Sequence, residues 1–105
     1  MLVERGNPVG FTATGHAEFS PHGSDIVCSA VSALTQTAVL GLSERLNLPL
    51  AAEIDEETGI HCVLGKDCTA EQMRDAAILL DTLRLGLQSI QAAYGDYLII
   101  TEREV

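Results

Sequence analysis

The sequence predicts an α+β fold, an α/β sandwich in which one mixed or antiparallel β-sheet is packed by two long amphipathic helices. Short extended segments and two stretches with helical spacing follow one another in the order β-β-α-β-β-α-β. Of the 105 residues, 47% are apolar, which excludes an intrinsically disordered chain. These elements fill the chain, so residues 1–105 are expected to form a single domain.

The chain before the first helix is rich in small and turn-forming residues. Residues 6–8 (Gly-Asn-Pro) and 9–10 (Val-Gly) predict turns. Residues 9–14 and 16–19 are short extended candidates. Residues 20–23, which include a proline and a glycine, are predicted to form a mobile loop.

The first helix is predicted from Ile26 to about Leu46, where apolar residues recur at spacings of three and four. Ser24 or Asp25 suits its N-cap, since either side chain accepts a hydrogen bond from a first-turn amide. Asn47 and Pro49 are expected to end it. The apolar face comprises Ile26, Val27, Ala30, Val31, Leu34, Ala38, Leu42 and Leu46.

The second half repeats the pattern with a hairpin, a helix and a strand. Leu50–Asp55 and Ile60–Leu64 flank a turn and predict a β-hairpin. Thr69–Gln72 fits a capping box that opens a helix reaching about Tyr94. Tyr97–Thr101 predicts a closing strand, and Glu102–Val105 is expected to fray or to lie at an edge.

Charge and composition limit the class of protein. The formal net charge of −9 argues against direct nucleic-acid binding, which needs a basic face, and suits a basic partner. No signal peptide is evident, and polar residues interrupt the longest uncharged stretch, Ile26–Ser43, so no membrane partner is expected. Three cysteines do not suggest a disulfide scaffold, and a cytoplasmic location is the default.

Three features converge on Cys28. A helix capped at Asp25 would place the thiol in the first turn, where the helix dipole favours the thiolate. His16 precedes a loop long enough to return an imidazole to the sulfur, and the Asp25 carboxylate could orient that imidazole. On these residues alone, a buried structural cysteine remains the alternative.

A resemblance strengthens the catalytic interpretation. Gly15-His16-Ala17, a short loop and then Asp-Ile-Val-Cys-x-Ala-Val-Ser at residues 25–32 resemble the signature of the ribosomal-processing cysteine proteases, the Prp family. Residues 83–98 are similar to that family's C-terminal segment. The resemblance covers nearly all of the chain after Gly15.

The resemblance implies a homodimeric cysteine endopeptidase that removes the N-terminal extension of large-subunit ribosomal protein number twenty-seven during ribosome maturation. It assigns Cys28 as the nucleophile and His16 as the general base. Asp25 would orient His16, cap the helix, or both. The loop between His16 and Cys28 would move on substrate binding, with Gly15 and Gly23 as hinges.

Other candidate roles follow from position. Ser32 lies four residues after Cys28 on the same side of the helix, and with Gly15, Gly23 and Ser24 it is a candidate substrate-binding residue. The dimer surface is expected at Leu98–Ile100 or at the helix flank formed by Leu79 and Leu85. No cofactor is expected.

Alternatives to the protease remain at this stage. A non-catalytic ribosome-associated module of the same fold would bind a basic partner, and a redox-responsive protein would use Cys28 alone. A metal site at His61, Cys62 and Cys68 lacks the usual ligand spacings, so Cys62 is assigned to the core and Cys68 to a loop. The acidic residues at 53 and 55–57 form either a solvated hairpin tip or a surface that attracts a basic substrate.

Overall fold

The computed structural model describes residues 1–14, 24–55, 59–95 and 98–105, and for residues 24 and 25 it describes the backbone alone. The elements in chain order are β1 (Leu2–Glu4), β2 (Asn7–Ala13), α1 (Ser24–Leu40), a π-helical turn (Gly41–Arg45), β3 (Leu50–Asp55), β4 (Gly59–Leu64), α2 (Ala70–Ala93) and β5 (Arg103–Glu104). This order of strands and helices agrees with the predicted one, but β1 lies before the predicted extended segments. The second of those segments, residues 16–19, and the loop predicted at residues 20–23 lie outside the described residues.

The five strands form one mixed sheet with the order β3-β4-β2-β1-β5. The pairs β1–β2, β2–β4 and β3–β4 are antiparallel, whereas β1 and β5 are parallel. Both helices contribute to one core with Phe11 and Cys62 of the sheet, so they cover the same sheet face. The α+β prediction is therefore confirmed.

The N-terminal hairpin lies earlier than the turn signals predict. Its two-residue turn is Arg5–Gly6, with φ values of 52° and 83°, and Glu4 pairs with Asn7 across it. A two-residue hairpin turn whose twist matches that of its strands requires positive φ at both positions. Pro8 is tolerated within β2 because the pairing of β2 with β4 begins only at Gly10.

The predicted extent of the first helix is confirmed, but its end has an unexpected form. α1 continues into the π-helical turn, in which the N–H of Leu46 donates to the Gly41 carbonyl at 2.9 Å. Asn47 then adopts φ 51°, a left-handed conformation that asparagine tolerates and that stops the helix.

The apolar side chains of α1 supply much of the core. Val27, Ala38 and Leu42 are at most 5% exposed. Thr35 is 1% exposed, and its hydroxyl donates to the Val31 carbonyl at 2.7 Å, so its polar group is satisfied inside the helix.

The same helical stretch is unusually apolar. Ile26–Arg45 has a mean hydropathy of 1.6 over 20 residues, so by length and composition it could cross a membrane. The interrupting polar residues predict that this stretch is not a membrane span. Serine and threonine, however, lower the mean hydropathy only modestly. A mostly buried core helix of a soluble protein passes the same test, but only 28% of this stretch is buried, on the side that joins the core.

The hairpin and helix predicted for the second half are confirmed. β3 and β4 pair from Leu50 opposite Leu64 to Asp55 opposite Gly59. The Thr69 hydroxyl accepts from the Gln72 amide at 3.1 Å, and the Gln72 side chain accepts from the Thr69 amide at 2.8 Å. This capping box opens α2, whose buried residues are Ala76, Leu80, Leu83 and Leu87.

The predicted closing strand is wrong, because residues 98–101 form no strand. The last strand is instead Arg103–Glu104 at one edge of the sheet, which agrees with the expectation that the charged tail lies at an edge. The parallel register places Arg103 beside Leu2, so the preceding residues extend past the beginning of β1 and have no ladder to join there. Ile99 is accordingly 86% exposed.

Candidate active site

Cys28 is the fifth residue of α1 and is partly buried. The helix begins at Ser24, earlier than a cap at Ser24 or Asp25 predicts, so Cys28 lies just beyond the first turn. Because α1 begins at Ser24, the amides of residues 24–26 have no acceptor within the helix. They are the available backbone donors beside the thiol, and the positive end of the helix dipole lies with them.

The proposed partners of Cys28 lie outside the described residues. This holds for Gly15, His16 and Gly23, and for the side chains of Ser24 and Asp25. The structure therefore establishes where the connecting segment leaves β2 and where it enters α1, but it does not test the catalytic assignments.

The chain leaves β2 at a tightly packed point. Ala13 pairs with Ile60 of β4, and Gly59 adopts φ 92° beside them. A Cβ atom added to Gly59 would lie 2.1 Å from the Ala13 carbonyl oxygen and 3.1 Å from the Thr14 Cα. The β3–β4 hairpin thus holds the end of β2, three residues before His16 in the sequence.

A cavity of about 250 Å³ connects the end of β2 with α1. Residues 12–14 line it from the sheet, Val31 and Thr35 from α1, and residues 98–101 from the C-terminal segment. Val31 and Thr35 follow Cys28 by three and seven residues, so all three lie on one side of the helix. This cavity could not be predicted from the sequence, because its walls come from distant parts of the chain.

Ser32 is partly buried one helical turn beyond Cys28. The Thr35 hydroxyl, which donates to the Val31 carbonyl, also makes a longer hydrogen bond of 3.2 Å to the Ser32 carbonyl oxygen. The expected position of Ser32 on the side of Cys28 agrees with the helix, while its role toward substrate stays a prediction.

The other two cysteines are placed as predicted. Cys62 is 2% exposed within the core, and burial raises the pKa of its thiol. Cys68 precedes the cap of α2, with its sulfur 3.8 Å from the Pro49 carbonyl oxygen. Burial and the nearby Asp67 carboxylate raise the pKa of Cys68. A buried, protonated thiol is a poor nucleophile, which disfavours Cys62 as the reactive cysteine.

In the described part of the chain, neither a metal-binding cluster nor a site formed by paired carboxylates is evident. Within it, no three histidine, cysteine, aspartate or glutamate side chains are grouped to hold a metal ion. Glu53 and Asp55 are exposed on β3 at the sheet edge, and residues 56 and 57 lie outside the description.

A second cavity, of about 540 Å³, lies between the outer sides of α1 and α2. Leu34 and Leu46 line it from one helical segment, and Ile78 and Leu79 from the other. Leu79 belongs to the helix flank expected at a dimer surface, whereas a groove between the two helices cannot be predicted from the sequence.

Comparisons with known proteins are consistent across most of the chain. The family model "Cysteine protease Prp" matches residues 1–99. The ribosomal processing cysteine protease Prp of Bacillus subtilis (strain 168) is 29% identical over 92 residues, which cover 87% of this chain and 82% of that protein.

Solved structures show the same fold. The SMU.848 protein of Streptococcus mutans aligns with a TM-score of 0.80 at 22% identity, covering 99% of this chain and 90% of that one. The protease Prp of S. aureus in complex with a substrate peptide aligns with a TM-score of 0.81 at 20% identity, covering 97% and 94% of the two chains.

A second S. aureus structure, with a covalently linked product peptide, has a TM-score of 0.76 at 22% identity and covers 97% and 94% of the two chains. The family match extends over both the segment that carries Cys28 and the sheet and helices that position it. The chain therefore belongs to the Prp family of cysteine proteases.

Proposed function

We propose that this chain is a cytoplasmic, single-domain endopeptidase that removes the N-terminal extension of large-subunit ribosomal protein number twenty-seven. The observation that carries the proposal is the position of Cys28, partly buried at the N-terminal end of α1 within a chain of this family. The name of the Bacillus subtilis relative supports ribosomal processing as the pathway. A net charge of −9 favours encounter with a basic ribosomal protein.

The proposed chemistry uses Cys28 as the nucleophile and His16 as the general base. The Cys28 thiolate attacks the scissile carbonyl carbon, and the oxyanion accepts hydrogen bonds from free amides of residues 24–26. Protonated His16 donates its proton to the leaving amine as the C–N bond breaks, which leaves a thioester. His16 then deprotonates a water molecule that attacks the thioester, releasing the new carboxyl end and the thiol.

The connection between β2 and α1 supports this pairing. His16 follows Thr14 by two residues, and two residues of fully extended chain span at most about 7 Å. Thr14 lines the same cavity as Val31, which lies one helical turn from Cys28. Asp25, the second residue of α1, is proposed to orient the imidazole.

The test is cleavage of a synthetic peptide that spans the extension and the mature N-terminus of the ribosomal protein. Cys28→Ala is expected to lower kcat/KM by at least about 10³-fold, since no other group replaces the nucleophile. Cys68→Ala is the matched control and should retain cleavage, because that thiol lies at the distant cap of α2. Full cleavage by a folded Cys28→Ala variant would refute the proposal.

We also propose a homodimer formed through the groove between α1 and α2. Only 28% of the apolar stretch Ile26–Arg45 is buried within one chain. Ile78 and Leu85, two helical turns apart on α2, are 66% and 65% exposed. Arg45 and Asp75 both line the groove, so a two-fold axis could place the positive charge of each copy opposite the negative charge of the other.

Light scattering distinguishes this surface from the alternative at residues 98–100. Ile78→Glu is expected to produce monomers at micromolar concentration, because a charge would be buried in an apolar interface. Ile54→Glu is the control, since Ile54 is 57% exposed on β3, away from the helices. A monomeric wild type, or an Ile78→Glu variant that remains dimeric, would exclude this interface.

A further inference from the structure

We propose that the β3 edge, formed by Leu50–Asp55, is a docking site for the mature part of the substrate, which joins the sheet there as a basic, antiparallel strand. The inference rests on the proposed function and adds a contact outside the active site. Through this contact the protease recognises the body of a basic protein as well as the residues beside the cleaved bond.

The β3 edge is open to solvent and long enough to pair with a peptide. In the described part of the chain, the one strand paired with β3 is β4, and residues 51–55 are all exposed. Bulges, prolines and lysines commonly block a sheet edge, and β3 has none of these. The opposite edge, β5, is only two residues long. The outward-facing backbone N–H and C=O groups of β3 therefore offer the longer edge for an added strand.

The β3 edge begins at the end of the sheet that leads to the proposed catalytic residues. Ala13 pairs with Ile60, which in turn pairs with Ile54, so these residues form one row across three strands. Neighbouring strands are about 4.8 Å apart, so a strand added outside β3 lies about 14 Å from Ala13. An extended peptide advances about 3.3 Å per residue. The docked segment therefore begins at least about four residues from the scissile bond.

Charge determines the chemistry of the docked strand. Ala52 pairs with the buried Cys62 and so faces the helices. Side chains alternate along a strand, so Glu53 and Asp55 lie together on the opposite face of the sheet. In an antiparallel pair, residues directly opposite each other share a face, with Cβ atoms about 4.5–5.5 Å apart. Lysine or arginine at alternate positions of the added strand therefore meets these carboxylates.

The mature segment suits the β3 edge better than a second copy of this chain does. Two copies each carry a net charge of −9, and antiparallel pairing centred on Glu53 sets two carboxylates opposite each other, which is destabilising. The mature segment follows the scissile bond, so it runs from the Asp55 end of the edge toward Leu50. This direction is antiparallel to β3, the arrangement that pairs slightly more stably.

The test compares a short precursor peptide, which ends two residues after the scissile bond, with a long one. The long peptide includes about ten mature residues, enough to span the gap and to cover β3. Glu53→Lys reverses the charge on the edge. Glu4→Lys is the matched control, because Glu4 is an exposed glutamate of the same sheet on β1, with β2 and β4 between it and β3.

Wild type is expected to cleave the long peptide with a kcat/KM at least about tenfold higher than the short one. Glu53→Lys should lower this ratio by about three- to tenfold, because a cross-strand attraction becomes a repulsion. It should leave cleavage of the short peptide within about twofold of wild type, and Glu4→Lys should leave the ratio itself within about twofold. Replacing the lysines and arginines of the mature segment by glutamate should make Glu53→Lys the better enzyme for the long peptide.

Backbone pairing is tested separately by binding to the Cys28→Ala variant, which does not depend on cleavage. Only alternate amides of an added strand face β3, so N-methylation of one alternate set in the long peptide should abolish binding and N-methylation of the other should not. On binding of the unmodified peptide, amides of β3 should become protected from hydrogen exchange.

Three results overturn the docking site alone: equal ratios for Glu53→Lys and Glu4→Lys, equal losses from both N-methylated sets, or β3 amides that are already protected without peptide. The last result assigns the β3 edge to a second copy of the chain. A wild type that cleaves neither peptide refutes the proposed function, whereas the binding measurements with Cys28→Ala still decide whether the edge docks a basic strand.

Discussion

Gly59 is the position where a single methyl group should most disturb the sheet end next to the proposed site. Its φ of 92° costs an alanine about 1–2 kcal/mol. The added Cβ would also lie 2.1 Å from the Ala13 carbonyl oxygen, a backbone atom that cannot rotate away. Relieving that contact requires a shift of about 1 Å between β2 and β4 and weakens at least one hydrogen bond, worth about 0.5–1.5 kcal/mol. We expect Gly59→Ala to cost about 1.5–3.5 kcal/mol in all.

Gly6→Ala provides the comparison that isolates the backbone contact. Gly6 has a similar φ of 83°, but nothing lies within 4 Å of its added Cβ. It should therefore cost only the conformational term of about 1–2 kcal/mol. Urea unfolding with unchanged m-values measures both free energies of unfolding. If Gly59→Ala and Gly6→Ala lower the free energy of unfolding by amounts that agree within about 0.5 kcal/mol, the tight packing of Gly59 against Ala13 is refuted.

Three further predictions test packing, capping and titration. Gly41→Ala should be nearly neutral, although its Cβ would lie 2.6 Å from the Leu79 Cδ1, because that side chain can move; a loss above about 2 kcal/mol in urea unfolding would contradict this. Thr69→Ala should cost about 1 kcal/mol by removing the capping box, while Thr69→Ser should retain most of it in the same assay. The raised pKa of Cys62 means that the folded state holds the thiol proton more tightly than the unfolded chain does. The resulting stabilisation of the fold is fully present below the ordinary pKa of 9.0 and is lost as pH rises through the pKa of the folded state. Between about pH 8 and pH 10, the melting temperature should therefore fall more steeply for wild type than for Cys62→Val. Parallel curves of melting temperature against pH would contradict the raised pKa of Cys62.

Elements with a strong local pattern could be predicted from the sequence. The helical spacing of Ile26–Leu46 and the capping box at Thr69 each depend on residues within a few positions of one another. The β3–β4 hairpin likewise brings together neighbouring segments. In these cases the local preference and the tertiary structure agree, so that the pattern alone is sufficient.

The errors arise where long-range contacts decide the outcome. Residues 98–101 have a strand-like composition, yet a strand needs a neighbour, and the parallel register with β1 provides one only from Arg103. The N-terminal turn was predicted too late because Arg5 gave no sign of its left-handed conformation. For the same reason, the two cavities were not predicted from sequence: each is bounded by segments that are far apart in the chain.

The direction of the Cys28 side chain is fixed by core packing farther along α1. Successive helical residues are about 100° apart, so the phase of the whole helix determines which way each side chain points. Val27 and Thr35 of α1 are 2% and 1% exposed, and a rotation of the helix by one residue would expose this face. The buried core therefore keeps Cys28 in line with Val31 and Thr35, which line the cavity of about 250 Å³. Thus the apolar pattern that predicted the helix also positions the proposed nucleophile.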